Sequence, residues 1–347
     1  MHITISLLCI VAPTHSCWFA EFADANTTFL CRIYYAEEFR QLRQLVLPQG
    51  EMAFIRSLSR CRNWNAQGGK SGSCFMKTYD ERFVVKEVSS IEMKTFHDVR
   101  KQYFDYLLSA ASVQRLSLLA RIFGIFHIDY KNVITGDARR LDVLVMENLF
   151  HNRPGITHIY DLKGSLRGRL IAKTDNPTVE VTPPVTTTAT ASTSVATATT
   201  LDASSRGTWD EQATVSRVPV LLDQNFINES LENPIYLRLH SKNALMHCLN
   251  MDTQFLADLF IMDYSLLVGM DRRAGQLVVG IIDYLRKFTL NKRLEMFVKQ
   301  TLTSVQGPMP TIIMPVDYRE RLLDQMERNF HLVPDQWYDS LADHREA

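Results

Sequence analysis

Apolar residues in the first half of the chain recur with two different periods, one typical of strands and the other of helices. Alternation of apolar and polar positions predicts strands at Phe29–Tyr35, Ser73–Tyr79, Arg82–Val88, Ala120–Asp129 and Leu141–Glu147. Apolar residues spaced three or four apart predict helices at Ala36–Leu47, Met52–Cys61 and Ile91–Ala111. Asp80 and Glu81 separate two of the strands by a short turn, so we expect a hairpin there.

The second half of the chain continues with the same two periods. Apolar runs predict short strands at Val218–Leu222 and Leu277–Ile282, and the apolar segment Ile261–Gly269 precedes a turn at Asp271–Gly275. Helical spacing predicts helices at Ser241–Phe260 and Val316–Phe330. Strands and helices in this irregular order favour an α+β fold. We therefore predict antiparallel strands and helices in two groups that are joined near Glu147.

A threonine-rich segment interrupts these patterns at Thr182–Thr200. It holds nine Thr, two Ser, four Ala, two Pro and two Val, and it has no charged residue. Such a composition cannot bury enough apolar surface to order the backbone, and lengthening a loop costs little free energy. We therefore predict a disordered insertion at residues 174–217 within one domain. An interdomain linker is the alternative, and the structure of the flanking segments decides between them.

The composition limits the classes of function. The 347 residues include 38 Lys and Arg against 38 Asp and Glu, so the net charge is zero. A globally basic nucleic-acid binder needs an excess of positive charge, and we therefore expect no nucleic-acid partner. The six cysteines form no CxxC pair, which argues against a zinc ribbon or a disulfide framework. A reduced, cytoplasmic setting is the expectation.

The apolar runs are too short for a membrane span, which needs roughly 18 to 20 residues. The nearest candidate, Ile3–Ala12, is similar to the apolar part of a signal peptide but lacks the basic segment that precedes it in such peptides. We therefore expect no signal peptide.

A glycine-rich loop comes directly before the predicted hairpin. Its backbone N–H groups can approach phosphate oxygens, and its Lys and Ser side chains add further donors. On its own, the loop is also compatible with a polar turn before a strand. The candidate phosphate-binding residues are Gly69, Lys70, Ser71, Gly72 and Ser73.

Lys86 strengthens the case for nucleotide chemistry. It lies on the second strand after the glycine-rich loop, and Glu92 lies near the start of the next predicted helix. Protein kinases use this layout, in which a strand lysine pairs with the nucleotide phosphates and with a helical glutamate. A solvated lysine is the alternative for this residue alone.

Two aspartates supply the other half of a phosphoryl-transfer site. Asp283 ends an apolar strand, where a rigid carboxylate can hold magnesium, and Asp263 lies twenty residues earlier after a helix. Kinase chemistry needs one carboxylate for the attacking hydroxyl and another for the metal. Each aspartate alone is also compatible with a cap or a turn.

Basic residues in Tyr160–Ser165 and just beyond it, at Arg167 and Arg169, can neutralise charge on a phosphoryl group. The alternative for this segment is the charged start of a helix.

Six segments occur in an order and spacing that resemble the phosphatidylinositol phosphate kinase family. They are GGKSGS at 68–73, FVVK at 83–86, VMENLF at 145–150, DLKGSLRGR at 161–169, IMDYSLLVG at 261–269 and VVGIIDY at 278–284. The resemblance extends from Phe22 to Trp337, and MPTIIMPVDYRERL at 309–322 resembles the type III members. Those members are much larger, so we expect this sequence to correspond to their catalytic region alone.

The resemblance implies a two-lobed fold that is distantly similar to protein kinases. We expect residues 22–147 to form the N-terminal lobe and residues 148–338 the C-terminal lobe. Residues 1–21 match nothing in the family, and residues 339–347 form a tail.

The resemblance also implies an activity, its cofactors and its setting. The enzyme transfers the γ-phosphoryl group of ATP, with magnesium, to the 5-hydroxyl of phosphatidylinositol 3-phosphate. The expected partners are phosphoinositide at an endosomal or vacuolar membrane surface and scaffold proteins. A phosphatidylinositol 4-phosphate 5-kinase and a catalytically weak phosphoinositide-binding scaffold are the alternatives.

The roles implied by the resemblance fall on residues of the quoted segments. Gly69 to Ser73 cover the phosphates, Lys86 binds them with Glu92 as its partner, and Glu147, Asn148 and Leu149 form the hinge beside adenine. Lys163 contacts the γ-phosphate, Asp263 is the catalytic aspartate, and Asp283 is the magnesium ligand. Lys299 and Arg319 are expected at the substrate phosphate, and Arg169 supports the phosphate end of the site.

One segment departs from the pattern of the family. Residues 300–318, where relatives read the lipid, contain no Lys or Arg. Basic residues near anionic lipid contribute about 1 kcal/mol each, so we expect weaker docking on the membrane unless Arg286, Lys287, Lys292, Arg293 and Lys299 supply the positive charge.

Overall fold

The computed structural model describes residues 11–14, 17–64, 74–171, 218–288 and 313–334, which all belong to one compact unit. The glycine-rich loop Gly69 to Ser73, Lys299 and the predicted insertion at 174–217 lie outside these residues.

The first half of the described chain forms a large antiparallel sheet and three helices. The strands are β1 (Val11–Thr14), β2 (Cys17–Ala23), β3 (Thr27–Tyr34), β4 (Cys61–Asn63), β5 (Phe75–Thr78), β6 (Phe83–Val88), β7 (Ile122–Asn132) and β8 (Ala138–Glu147). The helices are α1 (Ala36–Val46), α2 (Gly50–Leu58) and α3 (Ser90–Ser112). Within the described residues, the strand order is β1-β2-β3-β7-β8-β6-β5-β4.

The strand β6 lies between β5 and β8, and it is buried over most of its length. Its register places Lys86 opposite Phe75 on one side and Leu144 on the other. An interior strand is held by ladder bonds on both edges, so the backbone of Lys86 has a fixed position.

The second half contains two smaller sheets and three helices. The strands are β9 (His158–Leu162), β10 (Val220–Leu222), β11 (Ile235–Leu237), β12 (Ser265–Asp271), β13 (Gln276–Ile282) and β14 (Phe330–Leu332). The helices are α4 (Asp223–Glu232), α5 (Leu239–Asp258) and α6 (Pro315–Asn329). One sheet has the order β10-β9-β12-β13, and β11 pairs with β14 in the other.

Backbone hydrogen bonds connect the large sheet to β13. The Ala120 N–H donates to the Ile281 carbonyl at 2.9 Å, and the Ile281 N–H donates to the Leu118 carbonyl at 2.6 Å. A continuous apolar core crosses the same junction, since Phe96, Ile281 and Tyr318 belong to one buried cluster. The end of β13, where Asp283 lies, is therefore fixed relative to α3 and β7.

The predicted α+β fold class is confirmed, and most predicted elements are present within two or three residues of their expected ends. The helix predicted at Met52–Cys61 is too long, because Cys61 begins β4 and pairs with Thr78. The alternative of a helix start at Tyr160–Ser165 is wrong: Tyr160 lies in β9, paired with Val268 of β12.

The segments on either side of residues 172–217 belong to one sheet. Val220 of β10 pairs with Ile159 of β9, and the two strands run parallel. An interdomain linker between independent domains at this point is therefore excluded, because the chain returns to the sheet that it left.

Candidate active site

Lys86 is the centre of a buried ion-pair cluster. Its Nζ atom donates to Glu92 Oε1 at 3.0 Å and to Asp283 Oδ1 at 2.8 Å. The Lys86 side chain is 6% exposed, whereas that of Asp283 is 46% exposed. The contact between Lys86 and Glu92 that the sequence predicts is therefore present, and the structure adds Asp283 as a second partner.

The two carboxylates determine the protonation of Lys86. Burial acts against its charged form, but the charges and hydrogen bonds of Asp283 and Glu92 outweigh burial and raise the pKa of Lys86. Burial likewise acts against ionised Glu92, but Lys86 and the backbone of Ser89 lower the pKa of Glu92. Both members of the pair are thus charged at neutral pH.

The helix α3 positions Glu92. Ser89 caps the helix and accepts a hydrogen bond from the Glu92 N–H at 3.3 Å, while Glu92 Oε2 accepts from the Ser89 N–H at 2.8 Å. This reciprocal capping box fixes the first turn and the Glu92 side chain together. The second carboxylate oxygen remains available to Lys86.

The two aspartates occupy unusual backbone positions. Asp263 has φ +65° and Asp283 has φ +59°, both in the left-handed region that costs non-glycine residues free energy. Backbone pairing holds the two segments together, since the Met262 N–H donates to the Arg286 carbonyl at 3.0 Å and Ile261 bridges to Lys287. Such strain is typical of functional positions that the surrounding structure fixes.

Lys163 lies beside both aspartates. It follows β9, and its Nζ atom donates to the backbone carbonyl of Asp263. Burial lowers the pKa of Lys163, although the negative charges of Asp161, Asp263 and Asp283 act in the opposite direction. The structure thus brings Lys163 and the two aspartates to one place.

The turn after Lys163 requires glycine. Gly164 has φ +65°, and a Cβ atom there would lie 2.8 Å from Leu322 Cα and 2.9 Å from the Arg321 carbonyl oxygen of α6. The neighbours are backbone atoms that cannot move aside, so α6 fixes the back of this turn.

Arg169 and a carboxylate that the sequence reasoning missed lie under the same turn. Arg169 Nη2 donates to Asp161 Oδ1 at 2.6 Å, and its Nε donates to Asp223 Oδ2 at 2.5 Å. Asp223 begins α4, and its side chain is 1% exposed. Sequence spacing does not relate Asp223 to Lys163, because residues 172–217 separate the two. The one sequence feature that marks Asp223 is its position directly after an apolar strand.

The predicted hinge residues have defined contacts. The carboxylate of Glu147 accepts from the Arg121 N–H at 2.8 Å, and burial raises the pKa of Glu147. Asn148 Nδ2 donates to the Glu81 carbonyl at 2.7 Å. Leu149 lies against Gly280 of β13, where a Cβ atom would approach it to 2.5 Å. The connection after β8 is therefore held by residues next to strands of the large sheet and by β13 of the four-stranded sheet.

Arg319 lies on α6 and contacts a side chain of α5. Its Nη2 donates to Asn250 Oδ1 of α5 at 2.5 Å. Arg286 also contacts an active-site aspartate, since its Nη1 is 3.2 Å from Asp263 Oδ2. The sequence reasoning placed Arg286 only in a membrane-facing group.

The amino-acid sequence of the chain matches a known kinase family. The family described as Phosphatidylinositol-4-phosphate 5-Kinase matches residues 58–278 and 273–329. The chain belongs to this phosphatidylinositol phosphate kinase family. All of the described candidate site residues fall within the matched ranges.

Several full-length relatives in this family are similar to the chain. The 1-phosphatidylinositol 3-phosphate 5-kinases of Mus musculus and Homo sapiens are each 42% identical over 318 residues, which cover 91% of this chain and 13% of each relative. The 1-phosphatidylinositol 3-phosphate 5-kinase FAB1 of Saccharomyces cerevisiae is 36% identical over 323 residues, 92% of this chain and 12% of the yeast protein. The chain thus spans about an eighth of the length of these relatives.

The carboxylates of this phosphatidylinositol phosphate kinase family member are its candidate magnesium ligands. The described residues contain no group of three or more His, Cys, Asp or Glu that can hold a metal. Magnesium in kinases is usually bound by one or two carboxylates together with substrate phosphates, and Asp283, whose side chain is 46% exposed, provides such a carboxylate. The donor set therefore fits magnesium that arrives with a nucleotide.

No helix among the described residues has both the length and the apolar character needed to cross a membrane.

Proposed function

We propose that this chain transfers the γ-phosphoryl group of ATP to the 5-hydroxyl of phosphatidylinositol 3-phosphate. The observation that carries the proposal is the pair of lysines, Lys86 and Lys163, each within reach of an active-site aspartate. The mouse, human and yeast relatives are named as 1-phosphatidylinositol 3-phosphate 5-kinases, which supports the choice of substrate.

The proposal assigns the ATP phosphates to Lys86 and to the loop Gly69 to Ser73. Lys86 is charged, buried and held by Glu92, so it presents one fixed positive charge to an anion. The N–H groups of Glu147 and Asn148 already donate to the carbonyls of Arg121 and Arg82. We therefore assign the backbone contact with adenine to Leu149, the next residue of the hinge.

The proposal assigns the transfer step to Asp263 and Lys163. Asp263 orients the lipid hydroxyl and accepts its proton, and Lys163 neutralises charge on the phosphoryl group as the bond to the leaving oxygen weakens. Asp283 holds magnesium, which supplies positive charge to the phosphate oxygens when it is bound. Arg169 acts beneath the site through its carboxylate partners.

The substrate places the proposed enzyme on a membrane surface. We propose peripheral association with endosomal or vacuolar membrane, where phosphatidylinositol 3-phosphate is presented, and recruitment by scaffold proteins. The charge balance of 38 against 38 supports recruitment by a partner, because the chain has no excess of positive charge for anionic lipid.

A second candidate is the 5-kinase reaction on phosphatidylinositol 4-phosphate. The description of the matched family, Phosphatidylinositol-4-phosphate 5-Kinase, favours it. The two reactions use the same nucleotide site and differ in the lipid phosphate that is recognised.

Labelled ATP and liposomes that each contain one phosphoinositide distinguish the two substrates. We expect labelled 3,5-bisphosphate from the 3-phosphate lipid at a rate at least tenfold above the 4,5-bisphosphate from the 4-phosphate lipid, since about 1.4 kcal/mol of discrimination gives this ratio. The reverse ratio supports the second candidate.

A catalytically weak scaffold predicts no labelled product from any lipid. If nucleotide with magnesium still raises the thermal stability of the chain, the nucleotide site is intact and only transfer is lost. A ligand at 100 times its dissociation constant adds about 2.7 kcal/mol to the free energy of unfolding, which such a measurement detects.

A further inference from the structure

We propose that Asp223 is a positioning residue that sets the orientation of Lys163 by holding the backbone of the turn after β9. The proposal rests on the proposed function, because it concerns the lysine assigned to the transferred phosphoryl group. Asp223 touches no part of the expected substrates; it acts through Lys163.

The carboxylate of Asp223 is surrounded by N–H donors of the turn. Its Oδ1 accepts from the N–H groups of Lys163 at 3.0 Å, Gly164 at 2.8 Å and Ser165 at 3.3 Å. Three consecutive amides that point at one oxygen form an anion-binding nest. A carboxylate of this chain occupies the nest, so the turn is fixed from below before any ligand arrives.

The charge of Asp223 is balanced inside the protein. The side chain is 1% exposed, its Oδ2 accepts from Arg169 Nε at 2.5 Å, and the residue is the first of α4. A buried carboxylate needs both hydrogen bonds and an opposite charge, and the start of a helix adds a further favourable dipole. All three are present here, so the buried carboxylate has its partners within the protein.

The turn is also held on its other sides. Gly164 lies against the backbone of Leu322 in α6, and Lys163 Nζ donates to the carbonyl of Asp263. The backbone of Lys163 is thus held by Asp223, and the end of its side chain is held by the Asp263 carbonyl. Removing the Asp223 charge weakens the first of these two constraints, because a neutral amide accepts more weakly and loses the ion pair with Arg169, and leaves the second.

Arg169 belongs to the same hydrogen-bonded group as Asp223. Its Nε and Nη2 atoms are bonded to Asp223 and Asp161 respectively, and the side chain is 16% exposed. These contacts use the guanidinium to connect the two carboxylates beneath the turn. Arg169 therefore supports the phosphate end of the site through Asp223.

The experiment compares Asp223→Asn with Asn225→Ala, a matched control on the same helix. Asn225 exchanges hydrogen bonds with the backbone of Ile171, at 2.9 Å and 2.8 Å, and accepts from the Leu222 N–H at 3.3 Å. None of these bonds involves the N–H groups of the Lys163 turn. Loss of these bonds disturbs the same region without touching the nest. We expect Asp223→Asn to lower kcat about 10- to 100-fold while KM for ATP changes less than about threefold, because misplacement of a catalytic group by about 1 Å costs up to about 100-fold.

The control separates positioning from general destabilisation. Asn225→Ala is expected to change kcat less than about threefold even if it lowers Tm as much as Asp223→Asn does. Equal kcat for the two variants at 25 °C overturns the proposal. If Asp223→Asn does not fold, Arg169→Lys takes its place, since lysine keeps the charge but cannot make both bonds at once; kcat within threefold of the unmodified chain then overturns the proposal.

An NMR measurement that needs no lipid substrate tests the positioning role separately from the proposed function. The lysines are converted to their ¹³C-dimethyl forms, and the Lys163 signal is assigned from its loss in Lys163→Arg. We expect Asp223→Asn to shift this signal and Asn225→Ala to leave it in place. An unshifted signal in Asp223→Asn overturns the positioning role, whether or not the chain proves to be a lipid kinase.

Discussion

At the scale of single residues, the two active-site lysines have opposite electrostatic environments. Lys86 has a raised pKa because Glu92 and Asp283 outweigh the effect of burial. Lys163 has a lowered pKa because burial outweighs the more distant carboxylates. Lys163 is therefore the first of the two to lose its charge as pH rises.

This difference predicts the alkaline limit of activity. As pH rises, kcat/KM for ATP is expected to fall when Lys163 deprotonates in the free enzyme, at a lower pH than an ordinary lysine requires. Lys163→Arg keeps its charge at every accessible pH, so its decline is expected at higher pH even if its maximal rate is lower. If kcat/KM for ATP falls at the same high pH in the unmodified chain and in Lys163→Arg, a group other than Lys163 titrates.

Residues whose partners lie close in sequence were predictable, and others were not. The pair of Lys86 and Glu92 is six residues apart, so strand and helix periods place the two side chains together. Asp223 and Lys163 are brought together only by the return of the chain to the same sheet. The contact of Arg319 with Asn250 was likewise not predictable, because the two residues belong to different helices.

At the scale of elements, the first turn of α3 has two functions. Glu92 completes the capping box with Ser89 and also binds Lys86. The two functions use different oxygens of one carboxylate, Oε2 for the cap and Oε1 for the lysine. They are therefore separable by substitution.

Ser89→Ala and Glu92→Gln form a matched pair that tests this separation. Ser89→Ala removes the cap and is expected to cost about 1 kcal/mol of stability with activity largely kept. Glu92→Gln keeps an acceptor for the Ser89 N–H but removes the charge beside Lys86, so a loss of about tenfold in kcat/KM for ATP is expected. Denaturant unfolding and steady-state kinetics measure the two effects. Equal activity of the two variants contradicts the assignment.

A buried aspartate of α5 holds the segment between α3 and β7 that pairs with β13. Asp252 accepts from the Leu118 N–H at 2.5 Å, from Tyr106 at 2.6 Å and from Ser117 at 3.0 Å. The next backbone group, the Leu118 carbonyl, accepts from Ile281 two residues before Asp283. The helix thus stabilises the segment against which the end of β13 is aligned.

Asp252→Ala is expected to destabilise the chain and to affect the distant end of β13, where Asp283 lies. It leaves buried donors without an acceptor, which costs about 1 to 3 kcal/mol for each group. Asp258→Ala, at an exposed position on the same helix, is the control and is expected to have little effect. Hydrogen exchange at the Ile281 amide reports the coupling, and unchanged protection in Asp252→Ala contradicts it.

The period of hydrophobic residues predicted long elements better than short ones. The hairpin of β5 and β6 and the helices α1, α3, α5 and α6 follow strong patterns. The three-residue strand β4 does not, because three residues carry too little periodicity and the strand exists through pairing with β5. The strand β9 was missed because it is short and contains the charged Asp161, which pairs with Arg169 just beyond the strand.

At the scale of the whole molecule, the chain closes on itself across residues 172–217. Besides the parallel pairing of β9 and β10, the Gln224 N–H donates to the Arg169 carbonyl at 3.0 Å, and Asn225 bonds to the backbone of Ile171. The described residues on either side of this segment are thus tied directly to each other.

Deletion of Thr182–Thr200 is therefore expected to leave both activity and stability nearly unchanged. Shortening a closed loop by half alters its closure free energy by only about 0.6 kcal/mol. Thermal unfolding and phosphoryl-transfer rates of the shortened chain measure the effect. A collapse in activity with unchanged Tm contradicts a passive role for the deleted residues.

The most direct test of the central claim is the position of the phosphate that the chain adds to phosphatidylinositol 3-phosphate. We expect labelled 3,5-bisphosphate from the unmodified chain and from Asp258→Asn, whose side chain is exposed. Asp263→Asn is expected to be about 100- to 10,000-fold slower, the range that general base catalysis contributes. No labelled bisphosphate from the unmodified chain, or equal rates for Asp263→Asn and Asp258→Asn, contradicts the account.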